Sequence, residues 1–370
     1  MSGRLVDSNA GLAALLAELA GAPAVAIDTE FMRRNTYYPQ IALLQLCAGD
    51  VAWLVDPLAI DDLKPLKDYF ANDPALKLLH SCSEDLEVFR HWLGVIPAHL
   101  VDTQRAAALL GEDFGLGYRA LVQRLLGIEL DKGETRSDWL KRPLTASQCH
   151  YAALDVLHLL ELWPQLYERA LAADRMGWVR EESAEVVFSQ EDREAGLYRR
   201  IKGAGRLSRR ELEVLRRLVA WREARARVVD KPRGWVLDDK ACLAIARERP
   251  AHRDAMAALE VLPPALLRRQ GDTLLELVEQ ASLVPEPELP DAFPAPLDGP
   301  QRKLLKSLRT RAAALAQELG VAPEILITGA DLELLVREAA GAAIDEPRRW
   351  QGWRRIQVLP ELRAAARVES

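Results

Sequence analysis

No stretch of this chain approaches the ~18 uninterrupted apolar residues of a helical membrane span, although 49% of its residues are hydrophobic. The apolar run from Leu12 to Leu19 is broken by Glu18, follows Asp7, and has only Arg4 as a basic lead, so it does not read as a secretory signal. A cytoplasmic protein with no membrane partner is expected. Cysteine is scarce: Cys47, Cys82, Cys149 and Cys242 are too far apart for a CxxC zinc pair or a secreted disulfide framework, which leaves buried, reduced thiols. An excess of positive charge is missing too, since 55 acidic residues outnumber 49 basic ones for a net charge of -6. That balance argues against a nucleic-acid binder only if the charge is spread evenly. It is not. Between Arg199 and Arg233 thirteen basic residues face only Glu211, Glu213, Glu223 and Asp230, a run that reads either as a phosphate-binding surface or as a solvated helix face.

With 370 residues, the chain exceeds what one hydrophobic core usually organises, and two or three domains are expected. Its first part alternates helix and strand patterns. A helix opens near Ser8, strands run from Val25 to Phe31, Ile41 to Cys47, Val51 to Val55 and Leu76 to His80, and Ala48-Gly49-Asp50 reads as a hairpin turn. These features predict an α/β domain with a mixed sheet rather than a purely parallel one. After Asp102 strand patterns vanish and apolar residues recur at helical spacing. Prolines 285, 287, 290, 294, 296 and 300 cannot sit in a helix interior and mark a semi-rigid linker between two helical units. Those units share a faint outline: Pro232 precedes Val236-Leu237 and a helix with Leu243, and Pro323 precedes Ile325-Leu326 and a helix with Leu332 and Leu335.

The chemistry centres on carboxylates. In Ala26-Ile27-Asp28-Thr29-Glu30-Phe31, the period of a strand places Asp28 and Glu30 on one face, where two like charges repel unless a cation compensates them. Asp85 follows a strand at the start of a helical pattern, and Asp155 lies in the helical stretch His150 to Asp155. Four carboxylates without a His or Cys cluster suit hard divalent ions such as Mg²⁺ or Mn²⁺. Two such ions about 4 Å apart serve phosphodiester hydrolysis.

Taken together, Asp28/Glu30, Asp85 and Tyr151-x-x-x-Asp155 resemble, in order and spacing, the three exonuclease motifs of the DEDD superfamily. Asp28-Thr29-Glu30-Phe31, Ser83-Glu84-Asp85-Leu86-Glu87-Val88-Phe89 and Thr135-Arg136-Ser137-Asp138-Trp139 are similar to phrases of the bacterial ribonuclease D family. The resemblance implies a ribonuclease H-like exonuclease domain over residues 1–197, a helical HRDC domain over 205–285, a Pro-rich linker over 286–300 and a divergent second HRDC-like domain over 301–370. It further implies that Asp28, Glu30 and Asp155 ligate a first metal ion, that Asp28 bridges toward a second, and that Asp85 holds that second ion. Both His150 and Tyr151 precede Asp155. In a helix the five-residue separation turns a side chain about 140° away and the four-residue one only about 40°, which favours Tyr151 as the group that orients the attacking water. Thr145 and Gln148 make a capping box for that helix.

Thr29, Phe31, Met32, Arg136 and Trp139 are weaker candidates for substrate contact, and His80 reads as a core histidine satisfied by a hydrogen bond. The expected function is 3′–5′ exoribonuclease action that releases nucleoside 5′-monophosphates, with tRNA precursors and other small structured RNAs bearing single-stranded 3′ ends as substrates. No oligomerisation element is evident and a monomer is expected. Two alternatives stay open: a DNA-directed 3′–5′ exonuclease, since a contact to the 2′-hydroxyl is not legible, and a catalytically inactive RNA-binding protein.

Overall fold

Strand β2 (Ala24–Met32) is the axis of the fold, and its alternation separates two kinds of neighbour. One parity, Val25 and Ile27, packs with Leu44, Leu46 and Val55 in a large-residue core; the other, Ala24 and Ala26, is small and admits a helix close to the sheet. The computed structural model describes residues 3–130, 133–134, 137–191 and 196–368. In chain order the first elements are β1 (Arg4–Val6), α1 (Asn9–Leu19), β2, β3 (Gln40–Cys47), β4 (Ala52–Val55), α2 (Lys64–Asn72), β5 (Leu76–Leu79), α3 (Ser83–Trp92) and β6 (Leu100–Asp102). They form a six-stranded sheet in the order β1-β4-β3-β2-β5-β6.

The sheet is mixed, as expected: β2 runs antiparallel to β3 and parallel to β5, and β3 and β4 form the hairpin read at Ala48-Gly49-Asp50. The edge strands β1 and β6 have three residues each, too few to show an alternation in the sequence. The Ser8 hydroxyl caps α1 by accepting from the Gly11 N–H. Helices α1, α2 and α3 cover the large-residue face through Leu12, Leu15, Leu66, Phe70, Leu86 and Phe89.

Helices α4 (Thr103–Leu109), α5 (Tyr118–Leu126), α6 (Ala146–Ala172) and α7 (Met176–Glu191) follow. Thr145 and Gln148 form the capping box of α6, whose Ala152 and Ala153 are fully buried on the small-residue side of the sheet. Then come α8 (Arg209–Val229), α9 (Arg233–Val236), α10 (Asp239–Glu248), α11 (Arg253–Ala258), α12 (Pro264–Ser282), α13 (Gly299–Leu319), α14 (Pro323–Leu326), α15 (Gly329–Ala339), α16 (Trp353–Gln357) and α17 (Leu359–Val368). No described helix is long and apolar enough to cross a membrane.

The chain forms two compact units whose bounds differ from the expected domain edges: one is Met1–Met32, Pro39–Phe188 and Leu297–Ser370, the other Arg33–Tyr38 and Ser189–Pro296. In the first unit the segment after Leu297 shares a core with α4 to α7, because Leu308, Leu315, Leu335 and Trp353 pack with Leu109, Leu166 and Val179. The second unit has its own core around Leu215, Leu218, Ile245 and Leu274. The two helical segments repeat one plan: α8, α9 and α10 have 21, 4 and 10 residues, and α13, α14 and α15 have 21, 4 and 11.

Two expectations for the second unit are modified. The proline-rich run, expected as a semi-rigid linker, is anchored along its length: Leu289 is buried, the Arg209 guanidinium donates to the Leu289 and Pro290 carbonyls, and Arg199 stacks over Phe293. Six of the thirteen basic residues are spent inside the unit. Arg216 and Arg217 both bind the buried Glu213, Arg222 is buried against Asp239 and the Leu237 carbonyl, and Arg199, Arg209 and Arg210 bind backbone carbonyls. The run is therefore not one continuous phosphate-binding face.

Candidate active site

Asp28 and Glu30 share the parity of Ala24 and Ala26, so they point to the side of the sheet that α6 covers. Pairing of β2 with β5 stops at Ala26 and Leu78, which puts both carboxylates beyond it at the carboxyl end of the parallel strands, where α/β sheets leave a crevice. Helix α6 brings Asp155 to them. Oxygen atoms of Asp28, Glu30 and Asp155 lie within 4.8 Å of one another.

Asp85 arrives from the opposite layer as the third residue of α3, where the helix N-terminus favours a negative charge. Thr29 has the opposite parity to its neighbours Asp28 and Glu30, and its hydroxyl donates to the Asp85 carboxylate at 2.5 Å. The Tyr151 hydroxyl donates to the Asp155 carboxylate one helical turn away.

Crowding and burial set the electrostatics. Burial first, then the charges of Asp155, Asp85 and Glu30, lift the Asp28 carboxyl well above the ordinary carboxylate range. Burial, with Asp155 and Asp85, pushes Glu30 up to about 9. Burial also raises Asp85 to about 7 against the opposing bond from Thr29, and Asp155 to about 7 against the bond from Tyr151. The Tyr151 phenol is itself shifted upward by burial and by these carboxylates, so it stays protonated. Four carboxyl groups that hold protons this tightly form a site in want of positive charge, and an all-oxygen donor set fits Mg²⁺ or Mn²⁺.

The weaker candidates are placed differently. Trp139 is only 2% exposed and packs with Leu43, Leu54 and Ala152, its ring centroid 6.1 Å from that of Tyr151; it backs the tyrosine rather than facing a substrate. Met32 is partly buried against the same cluster, and Phe31 follows a bulge between Glu30 and itself that re-aims the strand. Arg136 lies outside the described residues. His150 is exposed and lines a cavity of about 960 Å³ with Arg119, Glu134, Tyr151 and Asp155. Both His80 nitrogens are engaged, with the Thr103 hydroxyl and the Leu116 carbonyl at 3.0 Å each, and burial lowers its pKa. Gln45, the one polar residue between Ile41 and Cys47, lies opposite Asp28 in the β2–β3 ladder, a register that local sequence does not reveal.

Comparison with known proteins shows the family of the chain. Residues 4–170 match the 3′–5′ exonuclease family and residues 211–278 the HRDC domain family. The chain is 41% identical to ribonuclease D of Pseudomonas paraeruginosa over 355 residues, covering 95% of this chain and 94% of the relative. It is 35% identical to ribonuclease D of Escherichia coli over 342 residues, 91% and 90% of the two chains. The crystal structure of Escherichia coli RNase D, an exoribonuclease involved in structured RNA processing, superposes with a TM-score of 0.88 at 33% identity, covering 99% of this chain and 98% of that one.

Proposed function

The chain belongs to the ribonuclease D family and is a metal-dependent 3′–5′ exoribonuclease, and from this premise we propose that the Asp28, Glu30, Asp85, Asp155 and Tyr151 cluster removes single nucleotides from RNA 3′ ends. The observation that supports the assignment is the convergence of Asp28, Glu30 and Asp155 within 4.8 Å on a site whose buried carboxyl groups repel one another. Asp28, Glu30 and Asp155 would hold one divalent ion, with Asp28 shared toward a second that Asp85 supports. When bound, a pair of Mg²⁺ or Mn²⁺ ions supplies an activated water and charge stabilisation of the leaving oxygen.

The protein's own groups set the geometry of that reaction. Tyr151, kept a neutral phenol, orients the attacking water by hydrogen bonding while its ring rests against Trp139. The water oxygen forms a bond to phosphorus and the bond from phosphorus to the 3′ oxygen of the preceding nucleotide breaks. A nucleoside 5′-monophosphate leaves, and the shortened RNA keeps a free 3′-hydroxyl. The substrates proposed are tRNA precursors and other structured RNAs with single-stranded 3′ ends. A cytoplasmic setting agrees with four free cysteines.

A time course on 5′-labelled RNA with a single-stranded 3′ extension, beside its DNA counterpart, tests the reading. The expected result is a ladder that shortens from the 3′ end on RNA with Mg²⁺ or Mn²⁺, none with chelator, and nucleoside 5′-monophosphate as product. Equal ladders on DNA overturn the RNA preference, and no ladder under any metal overturns the assignment.

A further inference from the structure

Between Ile41 and Cys47, strand β3 carries one polar side chain, Gln45, and it is completely buried. Neither its Nε2 nor its Oε1 has a hydrogen-bond partner among the described residues. A buried amide with no partner destabilises the fold, and the site around it does not need one: Leu43 and Leu54, which share its face, are apolar and buried. A leucine or methionine would fill the same place at lower cost.

Position explains the amide. Gln45 pairs directly with Asp28 across the antiparallel ladder, and opposed residues of such a ladder project to the same face with Cβ atoms about 5 Å apart. The far neighbour in the same row is Leu54, which offers no polar group, so the carboxylate of Asp28 is the polar side chain that the amide faces along its row.

We propose that Gln45 is a positioning residue for the metal centre: its Nε2 donates to the Asp28 carboxylate in the ion-loaded site and aims the remaining carboxylate lone pairs at the ions. The inference rests on the metal-site reading above. It also gives the unpartnered Nε2 an acceptor in the ion-loaded site. Partners of this kind around metal ligands commonly carry roughly 10- to 100-fold of metal affinity.

The test is the full-length chain with Gln45→Met, and Gln45→Leu as a second shape in case methionine packs badly. Thermal melting in chelator reports the fold, calorimetric titration with Mn²⁺ alone reports the site, and RNA cleavage is read as kcat and KM separately. Expected are a melting temperature in chelator equal to or above that of the parent, Mn²⁺ affinity at least roughly 10-fold weaker, a lower kcat at fixed Mn²⁺, and an unchanged KM for RNA. Parental Mn²⁺ affinity in either well-folded variant overturns the inference, as does weakening that merely follows a lower melting temperature in both. If the parent itself neither binds Mn²⁺ nor degrades RNA, the metal-nuclease reading fails first; if it does both and the variants match it, only the role of Gln45 fails.

Discussion

Thr29 donates its hydroxyl to Asp85 at 2.5 Å, a bond from the strand that carries Asp28 and Glu30 to the helix that carries the acid of the opposite layer. Because Thr29 is one residue out of phase with the two acids, it reaches through the sheet to the α3 side and joins both layers of the site. Its one donor is thereby committed to Asp85. Thr29→Val keeps the shape and removes the donor. The Asp85 carboxyl, already raised by burial, then rises further, since the lost bond was lowering it. We expect roughly 10-fold weaker activity at neutral pH and an acid limb of the rate profile moved to higher pH. Thr29→Ser should restore both, and a profile that superposes on the parent in Thr29→Val would dismiss the role.

The same carboxyl groups make stability of the metal-free protein depend on pH in an unusual direction. Glu30 near 9, Asp85 and Asp155 near 7 and the strongly raised Asp28 all lie above their ordinary values of 4.5 and 3.8. The folded state therefore binds more protons than the unfolded state between those limits, and stability falls as pH rises. In chelator the melting temperature should decline from pH 5 toward pH 9. Mn²⁺ should flatten the decline, and so should the double change Asp28→Asn with Glu30→Gln. A melting temperature that climbs over this range in chelator contradicts the buried-charge account.

A buried ion pair fixes the last helices to the exonuclease core. Arg354 of α16 reaches Glu182 of α7, donates to the Leu326 carbonyl at 3.0 Å and to the Ile325 carbonyl at 2.5 Å, while the Trp353 indole donates to Glu182 at 2.9 Å and stacks on Trp178. Removing one partner leaves Glu182, 2% exposed, without its counter-charge. Arg354→Ala should cost about 3–5 kcal/mol in urea unfolding. A loss below about 1 kcal/mol, the range of a surface pair, would mean that water enters this site.

How far these relationships were legible in the sequence depends on their range. The hairpin at Gly49, the cap at Thr145 and the shared face of Asp28 and Glu30 follow from local period and turn chemistry, and all were readable. Three-residue edge strands carry no period to read. The apolar stripes of α13 and α15 announce helices, yet a stripe does not say what covers it, and here Leu109 and Val179 do. Trp139 is a weaker candidate for substrate contact in the sequence; its burial is a property of the folded layer between the sheet and α6. Gln45 was visible as a lone polar residue in an apolar strand, but its meaning required the register that sets it opposite Asp28.

Tyr151 and His150 are adjacent in α6 but face different surroundings, and the proposed role of Tyr151 rests on that difference. Both line the same cavity with Asp155, but the Tyr151 hydroxyl bonds to the Asp155 carboxylate, whereas His150 is exposed. Tyr151→Phe deletes the hydroxyl and leaves the ring against Trp139, so the fold should hold, with a melting temperature close to the parent. Loss of the group that orients water should lower kcat by at least about 10²-fold, with little change in KM. The variant also removes a bond that lowers the Asp155 carboxyl, so its residual activity should need higher pH. His150→Ala should retain near-parental kcat because its side chain is exposed and is not one of the clustered carboxylate oxygens or the phenol beside them. If instead His150→Ala abolishes turnover and Tyr151→Phe is benign, the water is oriented by the imidazole, and the assignment of Tyr151 must be exchanged for His150.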